Sequence, residues 1–437
     1  MTVRVLQSGD PEIDRLLSAR GVTRDSALRD AVARIIDDVA ARGDQAVLES
    51  GQRFDSPDLK SLWVPAEEVS AARIEPDAES ALSLAADRIR DYHRAQLHAI
   101  QSGWEVTPHG AAEWRTQQLH GGTIGQRMRP LQSVGIYVPG GLAQYPSSVL
   151  MNAIPADVAG VERIVLVSPA RSRGDTGTAL LVAGRLAGGF PFYRAGGAAA
   201  VAALALGTEI LPRVDKVVGP GNKWVNEAKR QLWGQVGLDG YAGPSEVCVV
   251  VDSGANLRFA VADLLTQIEH AEDNQGFAVL IGSDLERPFL SELDRQLGDA
   301  PRAEVMRSAL LAGGAILVTD SVGEAQRWVN QIAPEHLTLA VADPERFAHE
   351  IYNAGCIMMG EWTPESGGDY VVGPSHTLPT ATAARFGSPL SVADFLKVQS
   401  LSHLTADDLR PLIPAIETIS ELEGLPGHGR GATIRRS

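Results

Sequence analysis

From residue 133 onward the chain repeats one unit, a short apolar run of strand length followed by a stretch of helix length. The first series reads "VGIYVP", "SVLMNAIPADVAGV", "RIVLVSPA", "TALLVAGRLAGG", "FPFYRAGG", "AAVAALALGT" and "DKVVGPGN". A second begins at "EVCVVVD" and runs through the helix carrying Gln267, "FAVLIGS", a helix near 302–312, "GAILVTD", a helix at 322–331, "LTLAVAD" and "AGCIMMG". Strands alternating with helices at this spacing pair in parallel through βαβ crossovers, which limits the fold to the α/β class. Two such units are expected, about 120–244 and 245–390, as the length of 437 residues also requires. Residues 26–98 are charged and helix-periodic, and predict helices packed on one of the units. After residue 391 the strand signals stop. The tail reads as a small helical appendage that must cover its apolar face on the body or on a partner subunit, so a dimer is expected.

The formal net charge of -15, with no basic stripe, argues against nucleic acid or an anionic membrane as partner. No signal peptide is recognisable and no apolar run reaches the ~18 residues of a membrane span, so a cytoplasmic location is expected. Only two cysteines occur, Cys248 and Cys356, which rules out a disulfide framework or a Cys-rich zinc site.

Chemistry must then come from histidines and carboxylates. His93, His98, His109, His120, His349 and His403 lie in polar stretches and read as solvated. Four of the ten histidines remain. In "DLLTQIEHAEDNQ" a helix would carry Gln267 and His270 three residues apart, on one face and within reach of a common point. That point could hold a metal, or the stretch could be an ordinary solvated face. Glu335 and His336, in "QIAPEHLTL", sit where Pro334 ends a helix and a strand begins, offering two bases of different intrinsic pKa. Asp369 and His376 lie in "PESGGDYVVGPSHTLPT", whose glycines and prolines predict a mostly irregular loop able to aim an Asp inward. His428 stands among glycines in "EGLPGHGRG", read as a loop.

Taken in order, "VGIYVPGGLAQYPSSVLMNAIPADVAGV", "VDKVVGPGNKWVNEAKR", "AGPSEV", "DLLTQIEH", "APEHL", "NAGCIMMGEWTPESGGDY", "GPSHTLPT" and "EGLPGH" resemble the histidinol dehydrogenase family over roughly residues 120–428. The resemblance implies two incomplete, doubly wound Rossmann-like domains with a helical N-terminal segment and a small helical C-terminal appendage. The expected boundaries are a segment 1–26, a first domain of 27–119 plus 245–390 carrying the metal and catalytic residues, a second of 120–244 on the NAD side, and an appendage of 391–437 intertwined with a partner subunit. One Zn²⁺ per subunit would be held by Gln267, His270, Asp369 and His428, the last donated from the partner, a donor set suited to a borderline cation. Glu335 and His336 match the catalytic pair. Substrate contacts would come from Ser245, His376 and Glu423 together with Gln267, His270, His336, Asp369 and His428, and NAD contacts from Tyr137 and Asn222.

The implied reaction is a four-electron oxidation of L-histidinol to L-histidine through histidinaldehyde with two NAD, the last step of histidine biosynthesis. His336 is the better candidate for the alcohol proton and Glu335 for activating water, because imidazole titrates near neutrality and a carboxylate does not. Neither cysteine matches a catalytic position, so no thiohemiacetal is expected. No G-x-G-x-x-G follows a strand, and "VPGG" and "GPGN" are weak signals for a pyrophosphate. Ala199 stands where many family members have a glutamine that helps hold NAD, and "LDGY" before "AGPSE" and the glycines around His428 also depart from the usual pattern. Two alternatives stay open from sequence: a related zinc- and NAD-dependent dehydrogenase of another polar alcohol, and a non-catalytic zinc-binding dimeric scaffold.

Overall fold

A computed structural model of the chain describes residues 3–21, 25–106, 111–140, 144–171, 173–240 and 243–436. The chain opens with β1 (Val5–Gln7), α1 (Pro11–Ser18), α2 (Ser26–Arg42), α3 (Asp44–Phe54), α4 (Ala66–Ala71) and α5 (Pro76–Ile100). Strands β2 (Glu105–Val106), β3 (Ala112–Gln117) and β4 (Thr123–Pro130) follow. The first alternating series is β5 (Ser133–Tyr137), α6 (Pro146–Ala159), β6 (Arg163–Ser168), α7 (Thr178–Ala187), β7 (Phe192–Arg194), α8 (Gly197–Leu206), β8 (Lys216–Val218), α9 (Lys223–Leu232) and β9 (Gly237–Leu238). The second is β10 (Glu246–Val251), α10 (Leu257–Ile268), β11 (Gln275–Ile281), α11 (Glu286–Asp299), α12 (Ala303–Ala312), β12 (Ala315–Thr319), α13 (Val322–Ile332), β13 (His336–Ala340), α14 (Pro344–Ala348), β14 (Cys356–Met359) and α15 (Glu365–Tyr370). The chain closes with β15 (Leu396–His403), α16 (Ala406–Leu409), α17 (Ile413–Leu422) and α18 (Pro426–Thr433).

Two sheets are wholly parallel, with strand orders β7-β6-β5-β8-β9 and β1-β12-β11-β10-β13-β14. Numbered within its own series, each has the doubly wound order 3-2-1-4-5, a Rossmann arrangement lacking its sixth strand. Every residue of β5, β10, β12 and β13 is buried, as expected for strands covered by helices on both faces.

The structure corrects four expectations. Helices of the 27–119 segment pack on the sheet of 133–238, not on that of 246–359. Val32, Val39, Ala46 and Val47 share a core with Val165, Val167 and the α8 alanines, and Ala85, Ala86 and Ile89 of α5 share another with Val134, Ile136 and Leu150. Helical periodicity reveals an apolar face but not the sheet it will meet. The segment 1–26 is not purely helical, because β1 adds in parallel to the edge strand β12, Val5 opposite Ile316. Third, strands do not end at 391. β15 pairs antiparallel with β4 from Leu396↔Pro130 to His403↔Thr123, and with β3 and β2 completes a four-stranded antiparallel sheet. Finally, His428 lies within helix α18, which starts at Pro426 and packs on α17, rather than in a loop. Among the described residues no helix is long and apolar enough to cross a membrane.

His98, His120, His349 and His403 are exposed as expected, and His109 lies outside the described residues. His93 on α5 is fully buried instead, with Nδ1 2.7 Å from the Ile89 carbonyl oxygen and no hydrogen-bond partner for Nε2. Burial pushes its pKa below the ordinary 6.5. The unfolded chain therefore binds a proton that the folded state resists, so this contribution to stability is present above pH 6.5 and is lost as the pH falls below it. His93→Phe is expected to lessen the fall in thermal midpoint between about pH 7.5 and about pH 5.5. An unchanged fall would assign the acid sensitivity elsewhere.

Candidate active site

Parallel strands that start level bring their first residues together, and this property builds the site. β10 and β13 are neighbours with Val247 opposite His336, so Ser245 and Glu246 at one strand start meet Glu335 and His336 at the other. The turn into β13 is tight: Ala333 caps α13 in the left-handed region at φ 45°, where a non-glycine residue is uncommon, and Pro334 follows. Across β14, a Cβ on Gly355 would collide with the carbonyl oxygen of Glu335, so glycine is required for this close approach. The Glu335 carboxylate accepts a hydrogen bond from the Glu246 backbone N–H at 2.9 Å, and His336 Nδ1 lies 3.2 Å from the Glu246 carbonyl oxygen.

The other ring nitrogen, His336 Nε2, faces two carboxylates at 3.5 Å each, Glu365 and Asp369. These stand four residues apart on α15, hence on one helix face. The expectation of an irregular loop around Asp369 is corrected here, because glycine and proline density misread a short helix as a turn. Glu365 is the functional candidate missed in sequence. Its spacing from Asp369 was the available signal, hidden by that loop reading. Thr338 lies two residues beyond His336 on the same face of β13, and its hydroxyl donates to Glu365 at 3.1 Å. His336 Nε2 and Glu365 Oε1 are both buried without a hydrogen-bond partner, and they converge on one point.

Gln267, buried near the end of α10, donates through its amide to Asp369 at 2.6 Å, which leaves its oxygen as a free acceptor. Asn274 ties this helix end to the Ser245 loop, accepting from the Ser245 N–H at 3.2 Å and donating to the Gln267 carbonyl at 2.8 Å. On the far side, His376 Nε2 lies 3.4 Å from the Ser148 hydroxyl of α6, and Asn152 donates to Thr377 at 3.1 Å. The 375–377 loop thus joins the two parallel-sheet units beside the site.

Burial opposes charge on His336, but the carboxyls of Glu365, Glu335 and Asp369 together carry its pKa well above the ordinary histidine range. Burial alone would raise Asp369, yet the His336 ring and the Gln267 amide hold it below the usual value. Burial pushes Glu365 up to about 7, with His336 pulling it back and Asp369 adding repulsion. His376 is lowered by burial, against the pull of Asp369. Cys356, opposite His336 in register, is pushed up to about 12 by desolvation, so its thiol is neutral and a weak nucleophile.

Of the four residues that resemblance assigns to zinc, only Gln267 and Asp369 touch. Helix α10 stops at Ile268, so His270 is not one helical turn from Gln267; it occupies an exposed bend two residues past the helix end. The run of acids and Asn274 after it favours leaving the helix. His428 is exposed on α18, and Glu423 is exposed at the end of α17. Among the described residues of one chain, no three His, Cys, Asp or Glu side chains converge into a metal cage. The donor chemistry of two oxygens and two imidazoles fits a borderline cation, and one chain forms the oxygen half of it.

In the sheet of β5–β9 the strand order reverses between β5 and β8, and the carboxyl ends of these two strands form its topological switch point. Tyr137 ends β5, buried, its hydroxyl accepting from the Gly197 N–H at 3.3 Å, and burial pushes it up to about 12. Gly219 after β8 has φ 110°, and a Cβ there would strike the Tyr137 carbonyl oxygen. Both backbone groups of Gly219 are held: its N–H donates to Asp239 at 2.7 Å and its carbonyl accepts from Lys229 at 2.5 Å, while Lys229 and Asp239 form a buried ion pair at 2.7 Å. Asn222 caps α9 by accepting from the Trp224 and Val225 N–H groups at 3.0 and 3.2 Å. Gly219 is thus required by close packing of the β8 turn on the end of β5. Ala199 is buried within α8. Gly141 of "VPGG" and Tyr241 of "LDGY" lie outside the described residues.

Comparison with known proteins bears on the whole chain. The family model for histidinol dehydrogenase matches residues 18–436. The chain is 44% identical to a histidinol dehydrogenase of Syntrophotalea carbinolica over 440 residues, covering 99% of each chain. It is 42% identical to that of Pseudomonas aeruginosa over 442 residues, covering 99% of this chain and 97% of the relative. The crystal structure of histidinol dehydrogenase from Elizabethkingia anophelis superposes with a TM-score of 0.90 at 32% identity, covering 99% of this chain and 98% of that one. A match of sequence and fold along nearly the full length, on a chain whose strand starts assemble a buried acid–imidazole cluster, leads to one conclusion: the chain belongs to the histidinol dehydrogenase family.

Proposed function

We propose that this chain oxidises L-histidinol to L-histidine through histidinaldehyde, with Glu335 and His336 as its two bases, zinc bound beside them and NAD bound at the carboxyl ends of β5 and β8. The observation that supports this reading most strongly is the buried cluster in which Glu335, His336, Glu365 and Asp369 surround the start of β13. In the first half-reaction the alcohol loses a hydride and a proton to give the aldehyde. His336 Nε2, the ring nitrogen turned into the buried carboxylate cluster, takes that proton. The aldehyde then adds water, and the hydrate loses a second hydride and proton to give the acid. Glu335, held by the Glu246 N–H, orients and deprotonates the water, while His336 again accepts the proton released with the hydride. Ser245, His376 and Glu423 are assigned to substrate binding.

Tyr137 and Asn222 are assigned to NAD, which supplies the hydride acceptor for each half. Gln267, His270, Asp369 and His428 are assigned to zinc, which when bound orients the substrate amine and imidazole. Physiological operation in the cytoplasm goes with this reading.

A homodimer with shared sites completes it. α17 and α18 pack on each other, yet Ile419, Leu422 and Ile434 remain 55%, 82% and 64% exposed, an apolar surface that a second subunit would cover. If His428 acts from the partner, His428→Ala and His270→Ala subunits are each inactive and metal-poor, but mixing them yields heterodimers in which one site carries both lesions and the other neither. Partial recovery of activity and of zinc after verified subunit exchange is the expected outcome. Full zinc occupancy in His428→Ala alone, measured after dialysis, would remove that residue from the metal set.

A further inference from the structure

Arg20, just after α1, is buried although it carries a fixed charge, and the reaction gives it no task. Its guanidinium reaches three elements. Nη2 lies 2.6 Å from Glu246 Oε1 at the start of β10, Nε donates to Gln275 at the start of β11 at 3.1 Å, and Nη1 donates to the carbonyl of Ile332 at the end of α13. The plane also lies over the Phe277 ring at 4.9 Å. These elements frame the turn that delivers Glu335 and His336. Glu246 meanwhile touches both catalytic candidates with its backbone alone, its N–H to the Glu335 carboxylate and its carbonyl against His336 Nδ1.

A carbonyl oxygen can only accept, so the Glu246 contact calls for a proton on Nδ1 and turns Nε2 toward Glu365 and Asp369. The position of that carbonyl therefore sets which nitrogen of His336 reacts. We propose that the buried Arg20–Glu246 ion pair is the positioning device of the catalytic pair, fixing the Glu246 backbone so that Glu335 is aimed and the His336 ring is held with Nε2 toward Glu365 and Asp369. The choice of arginine is physical: a rigid fork with five donors ties three elements at once, where a lysine would tie one. The inference rests on the assignment of Glu335 and His336 as bases.

The test uses the full-length, zinc-loaded protein with histidinol and NAD. Removing one partner of a buried pair leaves an unpaired charge and can unfold the protein, so Arg20→Met is combined with Glu246→Gln to give a neutral pair, and Arg20→Lys is made alongside. The double variant is expected to lose roughly 10- to 100-fold in kcat with little change in the KM for histidinol, as misplacement of a catalytic group does. Arg20→Lys is expected to recover part of that loss at an unchanged thermal midpoint. Wild-type kcat in the folded double variant would overturn the proposal. Should the double variant not fold, wild-type kcat in Arg20→Lys would overturn it equally, because the single tether of lysine could not do the same positioning. His336→Asn in the same assay separates the catalytic role of His336 from the positioning role of Arg20. If it keeps full activity, the catalytic assignment itself fails; if it is inactive while the Arg20 variants are not, only the positioning role fails.

Discussion

His336→Asn is expected to slow both half-reactions, each by ~10²- to 10⁴-fold, the usual loss when one general base is removed. The expectation follows from position. His336 Nε2 lies 3.5 Å from Glu365 and from Asp369 in a buried cluster, where it is placed to take the proton released with each hydride. Asparagine retains a polar side chain of similar reach but cannot accept a proton. Single-turnover formation of NADH from histidinol, and separately from supplied histidinaldehyde, measures the two steps. A variant that slows only one of them would show that a second base serves the other.

Glu335→Gln is expected to behave differently. The substitution keeps size and hydrogen bonding but removes the basic oxygen, so a residue that serves only the water should leave the first hydride transfer nearly intact. Oxidation of supplied histidinaldehyde should fall by ~10²-fold or more, while the first NADH-forming step from histidinol changes far less. Equal losses in both steps would mean that the pair acts as one coupled unit, a real prospect for groups whose side chains approach to 3.5 Å.

Local pattern carried what depends on neighbours in sequence. The α/β class, both strand series and the helix-to-strand junction at Pro334 were legible, because period and breaker residues are local signals. What the sequence hid was mostly pairing at long range. β15 reads "LKVQSLSH", mostly exposed and without a clean apolar alternation, and only the backbone of β4, some 270 positions earlier, makes it a strand. β1 is three residues long and depends likewise on β12. The same limit applies to the site. Glu335 and His336 announce themselves at a helix-to-strand junction, whereas Glu365 acquires meaning only when α15 is folded and set beneath β13 by Thr338. Arg20 and Glu246 are 226 residues apart, and nothing in either stretch foretells that they meet. For Gln267 and His270 the spacing suits one helix face, but α10 ends at Ile268, so the two are not presented from one continuous helix.

The central claim is a four-electron oxidation at one site, and the stoichiometry of the reaction tests it most directly. L-Histidinol and NAD⁺ are supplied to purified, zinc-loaded protein, and NADH formed is counted against histidinol consumed, with the product identified. The account predicts two NADH for each histidinol, histidine as the product and no accumulation of free aldehyde. One NADH per histidinol with aldehyde released, or no turnover of histidinol beside turnover of another polar alcohol, would contradict it.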